Sequence, residues 1–322
     1  MPPPTVLDVY EARRRLAGRL TKTPLLPSAW LSSVAGCSVF LKVESINLTN
    51  SFKIRGALNA ALRLSENFDS PTHTIVTASA GNHGRALALS TEQLGLKCVV
   101  FTPASAPDAK KDAIRRHGAI LHSDCEDYDA AERQARDFAE QEGGVYISPY
   151  NHPDVIAGAG TIGLEIVEAT ADLDVVVVPL GGGGLASGMG LAIKAAAAPG
   201  ATIVGVEAEA STPFTLSLKA GRITEITPRP SLADGLVGNL EPESMTFPLV
   251  KQVVDYVVTV SEDDLARAMK GLATEERLIV EGAGAAAVAS ILAGKASAAG
   301  RRVVAMVTGG NVDLPKWLRA IG

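Results

Sequence analysis

The spacing of apolar positions changes period several times along the chain, and the changes divide it into elements. Residues 6–18 have helical spacing and predict an amphipathic helix, whereas 21–36 is punctuated by proline. The run Val39-Phe40-Leu41-Lys42-Val43 predicts a strand, and a helix is predicted over 51–64. The next block alternates: strand Thr74–Ala78, helix 82–95, strand Lys97–Thr102, helix 108–117, strand Ala119–His122, helix 127–142 and strand Val145–Ser148. Strands and helices of these lengths predict parallel pairing through right-handed crossovers.

After Pro149 the alternation resumes with helix 159–170, the unbroken run Val175-Val176-Val177-Val178, a glycine loop and helix 185–197. Strand Thr202–Val206 comes next, then a looser segment with several prolines over 211–248. Strand Val253–Val260, helix 262–276, an alanine-rich helix 283–294 and strand Val303–Val307 complete the pattern. Continuous valines predict strands covered on both faces. The expected fold class is α/β, with two open, mostly parallel-sheet lobes and Lys53 close to the boundary between them. Residues 51–149 are expected to form a small domain, and 1–50 with 150–322 a large one.

Composition narrows the function classes. At 322 residues and 47 % hydrophobic content the chain can bury a sizeable core. A net charge of −5 and a pI near 5.6 argue against nucleic acid or an anionic membrane as partner, because nothing neutralises phosphates in bulk. Arg13-Arg14-Arg15 and Arg115-Arg116 read as solvated helix faces. Cys37, Cys98 and Cys125 form no C-x-x-C pair, so neither a disulfide framework nor a zinc site is expected, and a cytoplasmic location fits. Met1-Pro2-Pro3-Pro4 lacks the basic and apolar regions of a signal peptide, and no run approaches the ~20 apolar residues of a membrane span.

Four stretches carry candidate chemistry. In Ser51-Phe52-Lys53-Ile54-Arg55-Gly56-Ala57, Ser51 is a natural N-cap and Lys53 falls in the first helical turn, where the positive helix end disfavours a cation. A neutral lysine amine is what Schiff-base chemistry requires, although most helix lysines simply face solvent. Pro179-Leu180-Gly181-Gly182-Gly183-Gly184-Leu185, between a buried strand and a helix, suits an anion nest for a phosphate monoester. It is neither a P-loop nor a dinucleotide fingerprint. Ser79-Ala80-Gly81-Asn82-His83-Gly84 is a second strand-to-helix turn, able to hold a carboxylate, and Asn82 can donate to a phenolate-like oxygen. His83 reads either as a capping or packing residue or as a site residue. Thr308-Gly309-Gly310-Asn311 closes a third strand and supplies a hydroxyl.

With these motifs in this order and spacing, the chain resembles the fold-type II pyridoxal-phosphate enzymes, in particular the threonine/serine dehydratase and serine racemase group, over essentially its whole length. The resemblance implies a tryptophan synthase β-like architecture whose large domain binds pyridoxal 5′-phosphate. It implies Lys53 as the Schiff-base and catalytic lysine, and Gly181, Gly182, Gly183, Gly184 and Leu185 as the phosphate loop. Phe52 then lies against the cofactor ring, Asn82 bonds its 3′-oxygen, Asn151 and Gly235 stand near it, and Thr308 faces its nitrogen. Ser79, Ala80, Gly81, Asn82 and His83 hold the substrate carboxylate.

The implied activity is a dehydratase that eliminates water from a β-hydroxy amino acid such as L-threonine or L-serine, giving a 2-oxo acid and ammonia. A racemase of the serine racemase type is the alternative, and Ala80 stands where those racemases carry a serine acid/base. Gly238-Asn239-Leu240-Glu241-Pro242 resembles a segment of hydroxyectoine-utilisation dehydratases, which points to a larger hydroxy amino acid. A silent phosphate-ligand-binding protein is a third reading, which an intact Lys53 disfavours. The family's divalent-cation site is matched by Glu207, whereas Pro213 stands where metal-stimulated relatives carry Asp; Glu209 and Ser211 are the substitutes at hand, and Glu209 reads better as solvated or paired. A homodimer is expected from relatives, and feedback through an added regulatory domain is not.

Overall fold

The computed structural model describes residues 1–67, 74–170, 172–196, 200–296 and 301–322. Along the chain run α1 (Val6–Leu16), β1 (Leu25–Pro27), α2 (Ala29–Ala35), β2 (Ser38–Val43), α3 (Lys53–Asn67), β3 (Thr74–Ala78), α4 (Asn82–Leu94) and β4 (Lys97–Pro103). Then come α5 (Asp108–Arg115), β5 (Ile120–Cys125), α6 (Tyr128–Gln141), β6 (Val145–Tyr146), α7 (Pro153–Ala169), β7 (Val175–Pro179), α8 (Gly184–Ala195) and β8 (Thr202–Ala208). The last are α9 (Pro213–Ala220), α10 (Thr246–Val253), β9 (Tyr256–Val260), α11 (Glu262–Glu275), α12 (Gly282–Leu292), β10 (Arg302–Val307) and α13 (Leu314–Ile321).

Contacts divide the chain into two units, Met1–Leu20 with Lys53–Gly158, and Thr21–Phe52 with Ala159–Gly322. The first holds a four-stranded parallel sheet in the order β5-β4-β3-β6. The second holds a six-stranded sheet, β1-β2-β10-β7-β8-β9, parallel except for β1. The valine run of β7 explains why both faces of the larger sheet are covered. Val175 and Val177 point into one apolar cluster with Ala285 and Val288 of α12, while Val176 and Val178 point into another with Ile162 of α7 and Met189 of α8.

Several elements differ from the sequence reading. The segment 1–50 divides, because Leu16 of α1 is buried with Leu58 and Ala61 of α3 and Arg15 pairs with Glu66. Residues 21–36 do contain structure: Ser28 accepts from the Leu31 backbone N–H and starts α2. Helix α7 begins at Pro153, because proline suits the first turn of a helix. The expected strand Val253–Val260 starts only at Tyr256, since Leu249, Val250 and Val253 lie on one buried face of α10. Ala197, which ends the expected helix 185–197, lies outside the described residues. Among the described residues no helix is long and apolar enough to cross a membrane.

Candidate active site

The candidate residues follow the carboxyl ends of strands, where open α/β sheets gather ligand-binding turns. In the unit Thr21–Phe52 with Ala159–Gly322, β7 ends at Pro179 and α8 begins at Gly184, with Gly183 as its N-cap and no side chain capping it. The leading N–H groups of a helix have no intrahelical partner, so this uncapped start suits an anion. Gly183 has φ +86, and a Cβ there meets Phe214 Cζ at 2.6 Å and Thr246 Cβ at 3.0 Å. Thr246 Oγ1 also donates to the Gly182 carbonyl at 2.7 Å. The loop is thus gripped from outside by Phe214 and Thr246, neither of which the sequence reading found; both lie in the loose segment 211–248 and carry no motif. Leu185 buries its side chain in the core, so its backbone N–H is what it offers at the helix start.

The same unit places Gly235 against the loop and ties Thr308 to Phe52. A Cβ on Gly181 meets the Gly235 carbonyl at 3.2 Å, and one on Gly235 meets Ala283 Cβ at 3.2 Å. Thr308, just past β10 and buried, donates through Oγ1 to the Ala283 carbonyl at 3.5 Å, while its own carbonyl accepts from Phe52 N at 3.0 Å. The group present at this position is therefore a neutral hydroxyl.

Here the expected Ser51 N-cap is corrected. Ser51 forms an antiparallel bridge with Gly309, and α3 starts at Lys53. The pull is non-local: Asn50, at φ +53, accepts from Gly310 N at 2.9 Å, and the pairing continues through Phe52 to Thr308. Ser51 Oγ is left buried without a hydrogen-bond partner among the described residues.

In the unit Met1–Leu20 with Lys53–Gly158, Lys53 opens α3 and its Nζ donates to the Pro149 carbonyl at 2.8 Å. Pro149 follows β6, and Asn151 nearby is turned by its backbone N–H donating to Ser148 Oγ at 3.1 Å. The turn Ser79–Gly81 follows β3; Ser79 Oγ accepts from Gly81 N at 3.2 Å, and α4 starts at Asn82 with no side-chain cap. A Cβ on Gly84 meets the Ser79 carbonyl at 2.4 Å, so this turn closes tightly on the helix.

His83 is buried, and neither ring nitrogen has a hydrogen-bond partner among the described residues. Burial, then the charge of Lys53, with a smaller push from His152 and against a contribution from the Ile147 carbonyl, lowers its pKa from the ordinary 6.5 to about 3. A neutral imidazole beside the lysine adds no second charge to it. A stability consequence follows. Between pH 6.5 and 3 the unfolded chain binds a proton at this position and the folded chain does not, so stability falls as pH drops through that window. The expected loss from pH 7 to 5 is about 2 kcal/mol from His83. Urea unfolding at the two pH values checks it, and His83→Gln is expected to flatten that part of the profile.

Two further expectations meet hydrogen bonds. Asn239 uses its amide on the Ile226 main chain, accepting at 2.8 Å and donating at 3.0 Å. Glu207 is fully buried; its Oε1 accepts from Phe214 N at 2.7 Å, and its Oε2 accepts from Thr215 N at 2.9 Å and Thr215 Oγ1 at 2.5 Å. Burial pushes its carboxyl above the ordinary range, opposed by those same hydrogen bonds. No group of three or more His, Cys, Asp or Glu able to hold a metal ion occurs among the described residues.

Each unit offers groups that suit a phosphorylated aldehyde carrier: an uncapped glycine-rich helix start and a neutral hydroxyl at a strand end in one, and a lysine amine at a helix start in the other. The comparisons agree. L-threonine ammonia-lyase of Thermotoga maritima is 40 % identical over 310 residues, 96 % of this chain and 76 % of that one. A solved threonine deaminase from T.th. is 36 % identical with a TM-score of 0.87, covering 96 % of this chain and 99 % of the other. Maize serine racemase is 31 % identical with a TM-score of 0.91, covering 99 % and 97 %. The profile described as pyridoxal-phosphate dependent enzyme matches residues 16–309, and the chain belongs to that family, with pyridoxal 5′-phosphate as its cofactor.

Proposed function

We propose that the chain is an ammonia-lyase for a β-hydroxy amino acid of the threonine/serine class, releasing a 2-oxo acid and ammonia. The relatives named as threonine ammonia-lyases and deaminases support the class. When bound, the cofactor supplies the electron sink that weakens the substrate's α C–H bond. Lys53 Nζ would hold the cofactor, and its neutral amine would take the α-proton of the substrate. Gly181 to Leu185 bind the phosphate through backbone N–H groups. Ser79 to His83 would hold the substrate carboxylate, and Asn82, Asn151, Gly235 and Phe52 would hold the ring. Thr308 would offer a neutral hydroxyl rather than a carboxylate to the cofactor ring, which would keep the electron sink weaker and favour loss of the β-hydroxyl.

The observation that carries elimination over isomerisation is Ala80. A racemase returns a proton to the opposite face, and a methyl group has none to give. The likeness to maize serine racemase keeps isomerisation as the second reading. Ala80→Ser is expected to raise D-serine formed from L-serine relative to pyruvate; an unchanged ratio removes the argument. The function itself is tested by incubating holoenzyme with a panel of β-hydroxy amino acids, larger side chains included. Equal amounts of 2-oxo acid and ammonia are expected, and D-amino acid as the sole product overturns the reading. We also take the protein to act as a homodimer, for which sedimentation is the check.

A further inference from the structure

Glu207 is the acid that a cation-binding reading would use, but its surroundings give it another task. Both oxygens are occupied by donors from the first turn of α9, a helix whose N-cap, Thr212, makes no side-chain cap and whose first residue is Pro213, which has no N–H. The carboxylate therefore caps α9 from the neighbouring strand β8 and takes the favoured place of an anion at the positive helix end. One of the residues it fixes is Phe214. The Phe214 ring is fully buried and occupies the space beside Gly183, the positive-φ N-cap of α8. A cation at Glu207 would compete with three hydrogen bonds, and the helix start that supplies them opens with Pro213, which offers no oxygen ligand from its side chain.

We propose that Glu207 is a positioning residue for the glycine loop, acting through Phe214, and that it is not a cation ligand. The inference rests on the assignment of Gly181–Gly184 to the cofactor phosphate. Loosening α9 releases the ring that holds Gly183 in its left-handed conformation, and the loop N–H groups lose their convergence. The effect is expected chiefly on ligands that carry a phosphate, because the contacts run from Glu207 through Phe214 to Gly183 of the loop.

The test is equilibrium binding of pyridoxal 5′-phosphate and of pyridoxal, which lacks the phosphate, to the apo forms of wild type, Glu207→Gln and Phe214→Leu. Glu207→Gln is expected to weaken pyridoxal 5′-phosphate by about tenfold, as for loss of one charge-assisted hydrogen bond, and to leave pyridoxal within about twofold. Phe214→Leu is expected to act in the same direction, and the double variant to fall short of the sum of the two. Thr215→Val, which removes one donor, replaces Glu207→Gln if that variant does not fold.

A variant with lower thermal stability but an unchanged preference for the phosphorylated ligand overturns the inference and leaves Glu207 as a helix cap only. Thermal stabilisation of wild type by Mg²⁺ or Ca²⁺ that disappears in Glu207→Gln overturns it in favour of a cation site. If wild type binds both ligands equally, the phosphate assignment itself fails and takes the inference with it.

Discussion

Replacing Lys53 with alanine is expected to abolish the visible absorbance of lysine-bound cofactor and to lower turnover by at least about 10³-fold. One amine carries two duties in this account, since it anchors the cofactor and removes the α-proton. Its setting allows both: Nζ donates to the Pro149 carbonyl at 2.8 Å, and the nearby imidazole of His83 is held neutral by burial. The side chain is only partly buried, so truncation opens no large cavity and folding should survive. Absorbance after cofactor addition, stopped turnover and a thermal melt together separate this from unfolding. A variant that keeps the band assigns the cofactor to another lysine.

Gly183→Ala is the second large effect, expected to destabilise the chain by about 2–4 kcal/mol and to weaken cofactor binding. Two costs combine. The residue sits at φ +86, where a side chain is strained, and the new Cβ lies 2.6 Å from a ring that is itself fully buried. Gly221 separates them: its φ is +71, yet a Cβ there has nothing within 4 Å, so Gly221→Ala carries only the backbone strain of about 1 kcal/mol. Urea midpoints of the two variants check the difference. Equal losses contradict the grip of Phe214 on the loop.

What was legible in the sequence was what local pattern determines. The valines of β7 announced a strand covered on both faces, and the glycines 181–184 lie at a strand-to-helix junction as their composition required. Ser51 was misread because its backbone pairs with Gly309, some 258 positions away in the chain, and no local rule sees that partner. Phe214 and Thr246 were missed for a related reason. Each matters only through contact with Gly183, and the segment that carries them has no period, being pinned by side-chain bonds such as those of Asn239 and Ser211. Glu207 was legible as an acid at a strand end; that its oxygens are taken by α9 depends on where the next helix starts.

The central assignment is that Lys53 holds the cofactor. Borohydride reduction of the loaded protein, followed by digestion and mass mapping, tests it most directly, because reduction makes the bond between lysine and cofactor permanent. The phosphopyridoxyl mass is expected on the peptide containing Lys53 and on no other. Label on a different lysine, or none on a protein that has taken up the cofactor, would contradict it.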